Sequence, residues 1–155
     1  MTASDQPRDR AVRGMFDDVA PRYDLLNRII SFRLDGYWRK AAVAAVLRGG
    51  AGLVLDLGAG TGDLTFTAAQ SGRGGTRVIG LDFSLEMLRL AQRKKQRAAR
   101  ARETQFVQGS ALFAPFRAGV FDGVMSSFVL RNVSDLQLFF TEAQRVLKPG
   151  GTLVT

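Results

Sequence analysis

Short apolar runs alternate with amphipathic segments along most of the chain. The apolar runs predict strands at residues 53–58, 76–82, 104–109, 121–130 and 151–155. The amphipathic segments predict helices at residues 36–48, 62–70, 84–101 and 135–147, after a helical region that ends near residue 30. Strands of nearly continuous apolar character that alternate with helices predict an α/β fold, a doubly wound and mostly parallel sheet with helices on both faces.

Two helix starts carry capping signals. Ser84 is placed to cap the helix that follows it, with Glu86 in the first turn, where the helix dipole favours a negative charge. Ser134 and Gln137 have the spacing of a capping box, which predicts Ser134 as the cap of the last helix.

Length and composition predict one globular domain. The chain has 155 residues, of which 46% are hydrophobic and 23% are charged. No apolar run reaches the roughly 18 residues that a membrane span requires, and the opening residues carry charges where a signal peptide has its apolar core. A cytoplasmic protein is therefore expected.

The chain contains no cysteine and no histidine. Disulfides, thiolate chemistry, zinc sites of the usual ligands and histidine-based triads are excluded for these residues, and no metal site is expected. The net charge of +8 favours an anionic partner such as a phospholipid surface, a nucleic acid or an acidic metabolite.

The stretch "LVLDLGAGTGDL" joins a predicted strand to a predicted helix through a glycine loop. Asp56 lies in the strand, and Gly58, Gly60 and Gly62 lie in the turn. Glycines in such a turn let a ligand approach the main chain beside a helix N-terminus. Asp82 ends the next strand about 20 residues later, the usual spacing for an acid that binds ribose hydroxyls. A tight strand-to-helix turn of an unrelated α/β protein is the alternative.

The glycine spacing resembles the first motif of class I S-adenosylmethionine-dependent methyltransferases, and further stretches are more specific. These are "MFDDVAPRYDLLNRIIS" with "DGYWRKAAV", "VLDLGAGTGDLT" with "VIGLDFSLEML", and "FVLRNV" with "RVLKPGG". Together they resemble the ubiquinone/menaquinone biosynthesis C-methyltransferase family (UbiE/MenG type) over nearly the whole chain. The resemblance implies a Rossmann-like fold, S-adenosylmethionine as cofactor and C-methylation of a polyprenylated quinol, with demethylmenaquinol as the expected acceptor.

The resemblance also implies a cofactor site at the glycine loop and the strand ends. Its residues are Asp56, Gly58, Gly60, Thr61, Asp82, Ser110, Ala111 and Ser127. Asp82 would hold the ribose, Ser110 and Ala111 would meet the adenine, and Asp56 would face the amino end of the methionine part through water. Thr61, Ser110 and Ser127 are also consistent with ordinary hydroxyls satisfied in turns or strands.

The acceptor side of the site is implied to include four residues. Arg131 and Asn132 would follow the fourth strand beside the acceptor, and Tyr23 and Asn27 would close over it. Arg131 would stabilise the charge of a quinolate. In the alternative, Arg131 pairs with a carboxylate such as Asp135, Asn132 is a turn residue, and Tyr23 packs among the N-terminal helices. The resemblance itself implies an N-terminal helical acceptor-side segment at residues 1–48 and a cofactor-binding α/β core at residues 49–155, within one structural domain.

Seven lysines and arginines fall within residues 89–102. Their simplest interpretation is a solvated helix face. The second is contact with anionic lipid headgroups, which would hold the protein at the inner face of the membrane where its acceptor is dissolved. Nucleic acid is the least favoured partner, because no aromatic residues are interleaved for base stacking.

The sequence departs from the family pattern at several positions. Arg33 and Val129 stand where the family typically has glycine, and Ser110 stands where it often has aspartate or asparagine. The chain ends at Thr155 in the fifth predicted strand, whereas class I methyltransferases generally continue through two more strands, so a truncated member is expected. The apolar last strand would be an open edge, which favours a homo-oligomer. A cofactor-binding remnant without turnover, or a methyltransferase of another substrate class, remains an alternative.

Overall fold

A computed structural model of the chain describes residues 35–155. The predictions for the first helical region, and for Tyr23, Asn27 and Arg33, fall outside these residues. Four helices are described: α1 (Asp35–Val46), α2 (Asp63–Ser71), α3 (Leu85–Lys95) and α4 (Leu136–Val146). The strands are β1 (Leu53–Leu57), β2 (Arg77–Asp82), β3 (Thr104–Gln108), β4 (Phe121–Met125) and β5 (Leu147–Val154).

The five strands form one parallel sheet in the order β3-β2-β1-β4-β5. The chain adds strands outward from β1 to β3 and then returns to place β4 on the other side of β1. The point where the strand order reverses therefore lies between β1 and β4, and open α/β sheets bind their ligands beside such a point.

Apolar side chains cover both faces of the sheet. Val54 of β1 packs in a cluster with α1 and α2, and Leu55 packs on the opposite face with Phe139 and Ala143 of α4. Successive side chains of a strand point to opposite faces, so one continuous apolar strand supplies both clusters. The predicted doubly wound α/β fold is confirmed. Among the described residues, no helix is both long and apolar enough to span a bilayer.

Two predicted elements are shorter in the structure. Helix α3 ends at Lys95 instead of residue 101, and a 3-10 turn at Ala101–Glu103 follows it. Strand β4 ends at Met125 instead of residue 130, and Phe128, inside the predicted strand, has a positive φ of +61° that is incompatible with a strand. Arg131 and Asn132 consequently lie in a 3-10 turn, Leu130–Asn132, and not at the end of the strand as predicted.

One predicted cap is confirmed and the other is wrong. The side chain of Ser84 accepts a hydrogen bond from the amide of Met87 at 3.2 Å and caps α3. Helix α4 is capped by Asp135 and not by Ser134, since the carboxylate of Asp135 accepts from the amide of Leu138 at 2.9 Å. The carboxylate of Asp135, which the alternative interpretation pairs with Arg131, therefore serves as a helix cap.

The close packing of α1 on the sheet depends on Gly123. A Cβ atom at this position would lie 2.4 Å from Cγ2 of Val46 and 3.4 Å from the carbonyl oxygen of Val46. Val46 ends α1 and is buried, and a β-branched side chain has few rotamers through which it could move away. Glycine in the middle of β4 thus lets α1 approach the strand.

We therefore expect Gly123→Ala to lower the free energy of unfolding by about 1–3 kcal/mol through overpacking. The measurement is urea unfolding followed by circular dichroism. Gly74→Ala is the matched control, because a Cβ there has no atom within 4 Å. Equal stability of the two variants would show that α1 does not pack on β4 in this way.

Candidate active site

A cleft lies at the carboxyl ends of β1, β2 and β4, next to the point where the strand order reverses. Its volume is about 540 Å³, including space that is open to solvent. It is lined by Gly58, Gly60, Leu81, Asp82, Phe83, Met87, Gly109, Ala111, Ser127, Phe128, Val129 and Asn132. The glycine loop, the acid at the end of β2 and the segment after β4 therefore share one wall.

Asp82 connects the end of β2 to the glycine loop. Its Oδ2 atom accepts a hydrogen bond from the amide of Gly60 at 2.7 Å, and its Oδ1 atom accepts from the amide of Ser84 at 2.9 Å. The amides of Gly58 and Ala59 donate to the carbonyl of Leu81, at 2.8 and 2.9 Å. These bonds fix the carboxylate at the cleft wall.

The segment after β4 packs directly on the glycine loop. A Cβ atom on Gly58 would lie 2.2 Å from Cγ2 of Val129, and Gly58 has a φ of +76°, so a side chain is excluded there for two reasons. Phe128 has a φ of +61°, which is uncommon for an aromatic residue, and 51% of it is exposed. Backbone strain of this kind is often found at functional sites.

The turn that contains Arg131 and Asn132 forms the mouth of the cleft. The guanidinium carbon of Arg131 lies 5.7 Å from the ring centroid of Phe128, within cation–π range. The backbone amide of Asn132 donates to the carbonyl of Val129 at 2.8 Å, which closes the turn. Arg131 is exposed, so its charge is available at the opening of the cleft.

Asp56 is buried beneath the glycine loop. It lies on the face of β1 that meets α2, and its Oδ2 atom accepts a hydrogen bond from the hydroxyl of Thr65 at 2.6 Å. Burial is the main reason that the pKa of Asp56 is raised to about 7; hydrogen bonding by Thr65 opposes this rise, and the negative charge of Asp82 adds to it. Asp56 is therefore a carboxylate whose ionised form is disfavoured in the free protein.

Six of the predicted site residues line the cleft: Gly58, Gly60, Asp82, Ala111, Ser127 and Asn132. Thr61 and Ser110 lie beside it with other partners. The hydroxyl of Thr61 is contacted by Lys94 at 2.8 Å, and that of Ser110 accepts from the amide of Leu112 at 3.1 Å. Arg131 and Asp56 are not part of the described cleft lining; Arg131 lies beside the ring of Phe128, and Asp56 is buried in β1 just before the glycine loop. The roles assigned to all these residues stay predictions.

The sequence analysis missed several cleft residues that carry no polar signal. Phe83 and Met87 contribute apolar wall on the side of β2 and α3, and Gly109 contributes backbone after β3. Phe83 could have been inferred, because it directly follows Asp82. Met87 could also have been inferred, because it lies one turn into the helix that Ser84 caps.

Comparison with known proteins agrees with this arrangement. The ubiE/COQ5 methyltransferase family matches residues 1–155. The demethylmenaquinone methyltransferase of Thermobifida fusca is 49% identical over 149 residues, which are 96% of this chain and 60% of the relative. That of Thermus thermophilus is 44% identical over 140 residues, 90% of this chain and 62% of the relative.

Solved structures share the fold. The geranyl diphosphate C-methyltransferase of Streptomyces coelicolor, in complex with S-adenosyl-L-homocysteine, superposes with a TM-score of 0.69 at 24% identity. The match covers 79% of this chain and 46% of that enzyme. The chain spans about 60% of the length of the curated relatives that it matches. Because the family pattern extends over every residue and both relatives exceed 40% identity, the chain belongs to the ubiE/COQ5 methyltransferase family.

Proposed function

We propose that the cleft binds S-adenosylmethionine and that the chain is the cofactor-binding part of a C-methyltransferase that converts demethylmenaquinol to menaquinol. The carrying observation is the carboxylate of Asp82, which is held at the cleft wall by the amides of Gly60 and Ser84. A carboxylate fixed in this way can accept two hydrogen bonds from adjacent ribose hydroxyls.

The other residues of the cleft fit the same cofactor. Gly58 and Gly60 present backbone without side chains, which suits close approach of the methionine part. Phe83, which is partly exposed, offers apolar surface of the kind that a purine ring covers. When bound, the cofactor supplies an electrophilic methyl group on a positively charged sulfur.

The local charge also favours a cationic ligand. The chain carries +8 overall, yet Asp56 and Asp82 lie near the ends of two adjacent strands. Burial of Asp56 and repulsion by Asp82 both disfavour the ionised form of Asp56. A ligand with a sulfonium and an ammonium group would offset both effects. We propose that Asp56 acts on the ammonium through the loop or through water, and that this is why an acid is buried there.

The acceptor side would be formed by the turn after β4. Arg131 stands exposed at the mouth of the cleft, where it can stabilise the charge of an ionised quinol. Asn132 lines the wall and can orient a ring oxygen. Tyr23 and Asn27, which lie outside the described residues, would cover the acceptor. Because these 155 residues contain no histidine, orientation and exclusion of water are proposed as the main sources of rate.

A cofactor-binding module without turnover is the alternative function. It is supported by the altered cofactor contact at Ser110, whose hydroxyl accepts from the amide of Leu112. The two functions share cofactor binding and differ in methyl transfer, so both must be measured on the same preparation.

A membrane surface is the further partner that we propose. Within residues 89–102, three arginines have exposed side chains with no side-chain hydrogen bond or ion pair to another described residue: Arg93, Arg97 and Arg102. Arg89 is also exposed, but it pairs with Glu86. Such arginines can contact anionic headgroups, each contributing about 1 kcal/mol near the surface. This contact would bring the cleft to an acceptor that is dissolved in the bilayer.

We expect Asp82→Ala to weaken binding of S-adenosylmethionine at least about 10-fold, because a charged hydrogen-bond acceptor is removed. Isothermal titration calorimetry measures the dissociation constant. Glu86→Ala is the control, since it removes one carboxylate from the adjacent helix outside the cleft wall. Binding by the wild-type chain that is equally strong in Asp82→Ala would contradict the proposed site.

Methyl transfer to demethylmenaquinol decides between the enzyme and the module. We expect the wild-type chain to produce menaquinol and Arg131→Ala to lose at least about 10-fold in rate while its cofactor affinity is unchanged. Mass spectrometry of the extracted quinone measures the product. Cofactor binding without any product would support the module.

The raised pKa of Asp56 predicts how stability depends on pH. Between about pH 5 and about pH 8 the folded chain binds more protons on Asp56 than the unfolded chain, so the free energy of unfolding falls as pH rises, by about 3 kcal/mol. No histidine titrates in this range. The lowered pKa values of Asp63, Asp122 and Glu142 act at more acidic pH.

The measurement is urea unfolding across this pH range for the wild type and for Asp56→Asn. The variant keeps an oxygen that can accept from Thr65 but has no charge to bury. We expect its stability to vary little with pH. A variant with the same slope as the wild type would show that another group is responsible.

The membrane contact predicts binding to anionic vesicles and none to zwitterionic vesicles in a flotation assay. The double variant Arg97→Gln/Arg102→Gln should weaken this binding about 10-fold or more. Equal binding to both vesicle types would contradict an electrostatic contact.

A further inference from the structure

The basic run at residues 89–102 is not uniformly solvated. Arg89 pairs with Glu86 of the same helix, and three other cations are bonded to other elements of the fold. Lys95 donates to the carbonyl of Thr104, and Arg100 donates to the carbonyl of Gly72 at 2.6 Å. The third is Lys94, which reaches across to the glycine loop. Part of the charge in this run therefore bonds to other parts of the fold.

Lys94 contacts both sides of the last glycine in the loop. Its Nζ atom donates to the hydroxyl of Thr61 at 2.8 Å and to Oδ1 of Asp63 at 2.8 Å. Thr61 and Asp63 flank Gly62, which has a φ of +85° and precedes the first turn of α2. One ammonium group thus holds the loop and the start of its helix together.

Asp63 receives a second cation from a different helix. NH1 of Arg39 in α1 lies 2.6 Å from Oδ2 of Asp63, so each carboxylate oxygen has its own cation. Burial alone would raise the pKa of Asp63, but hydrogen bonds and charge from Lys94 and Arg39 outweigh it and hold that pKa below its ordinary value. The carboxylate consequently stays ionised and links α1, α2 and α3.

We propose that Lys94 is a positioning residue for the cofactor, acting through the glycine loop. This inference rests on the proposed function. The loop contains three glycines with positive φ, at positions 58, 60 and 62, and glycine-rich backbone gives up much conformational freedom when it is fixed. Asp82 fixes the loop from the cleft side through the amide of Gly60, and Lys94 fixes it from the outer side through Thr61.

The role is distinct from that of a residue that touches the cofactor. Lys94 is absent from the described cleft wall, and its side chain is 32% exposed on the outside of the loop. Its removal would free the loop without removing any group from the wall. Cofactor binding would then have to order the loop again, and the free-energy cost of that ordering would lower the affinity.

The experiment compares S-adenosylmethionine binding by the 155-residue wild type, Lys94→Met, Lys94→Arg and Arg93→Met in vesicle-free buffer, using calorimetry. Arg93 precedes Lys94, is exposed and lines a groove on another side of α3, so Arg93→Met removes the same charge away from the loop. We expect Lys94→Met to weaken binding about 5- to 10-fold, Arg93→Met to change it less than about 2-fold, and Lys94→Arg to restore most of the loss.

A second measurement, amide hydrogen exchange, is made on the chain without cofactor. Amide hydrogen exchange of residues 58–62 in the free chain should be faster in Lys94→Met than in Arg93→Met, whereas exchange in β1 and β2 should be equal. Thr61→Val removes the loop acceptor of Lys94 and provides a second route to the same contact. In the double variant, the loss of binding free energy should be smaller than the sum of the losses in Thr61→Val and Lys94→Met.

The outcomes separate the inference from the function on which it rests. Absence of binding by the folded wild type overturns the proposed function and this inference together. Wild-type binding with equal affinities for Lys94→Met and Arg93→Met leaves the proposed function in place and overturns the role of Lys94. Additive effects of Thr61→Val and Lys94→Met on affinity also overturn the role of Lys94. If Lys94→Met does not fold, Thr61→Val is tested alone, and unchanged exchange of residues 58–62 in that variant overturns the role.

Discussion

The hydrogen bond between the amide of Gly60 and the carboxylate of Asp82 is the contact on which the site depends. It is 2.7 Å long and joins two parallel strands beyond the ends of their ladder. The glycine loop could adopt many conformations by itself, because its glycines have no side chains to restrict them. By accepting this amide, Asp82 selects a conformation in which the loop forms a cleft wall, and the second amide, from Ser84, fixes the carboxylate itself.

The strand order explains why the segment after β4 completes the cleft. β4 pairs directly with β1, so the chain leaving β4 emerges next to the glycine loop. The approach is close enough that Val129 occupies the space where a side chain on Gly58 would lie. Val129 therefore forms the cleft wall at the loop, beside the exposed ring of Phe128.

Much of the fold could be predicted from the sequence, since the strands are apolar and the helices between them are amphipathic. Asp82, the glycine loop and the cap at Ser84 were predicted because each depends on residues close in sequence. The end of β4 was not predicted, because Phe128 has a φ of +61°, and an aromatic residue in an apolar run gives no signal for that conformation. The cap at Ser134 was wrong for a local reason: Asp135 offers a carboxylate one residue later, and a charged acceptor is favoured at a helix N-terminus.

The basic run illustrates what composition alone leaves undetermined. Seven cations in fourteen residues predict an electrostatic surface, but the sequence does not distinguish Arg93, which is exposed, from Lys94, which bonds Thr61 and Asp63. The difference arises because Lys94 lies on the side of α3 that faces the glycine loop. An overall charge of +8 can therefore coexist with a site whose own carboxylates favour a cation. The exposed arginines face solvent, whereas the ammonium group of Lys94 pairs with the carboxylate of Asp63. The other acids beside the glycine loop are Asp56 and Asp82.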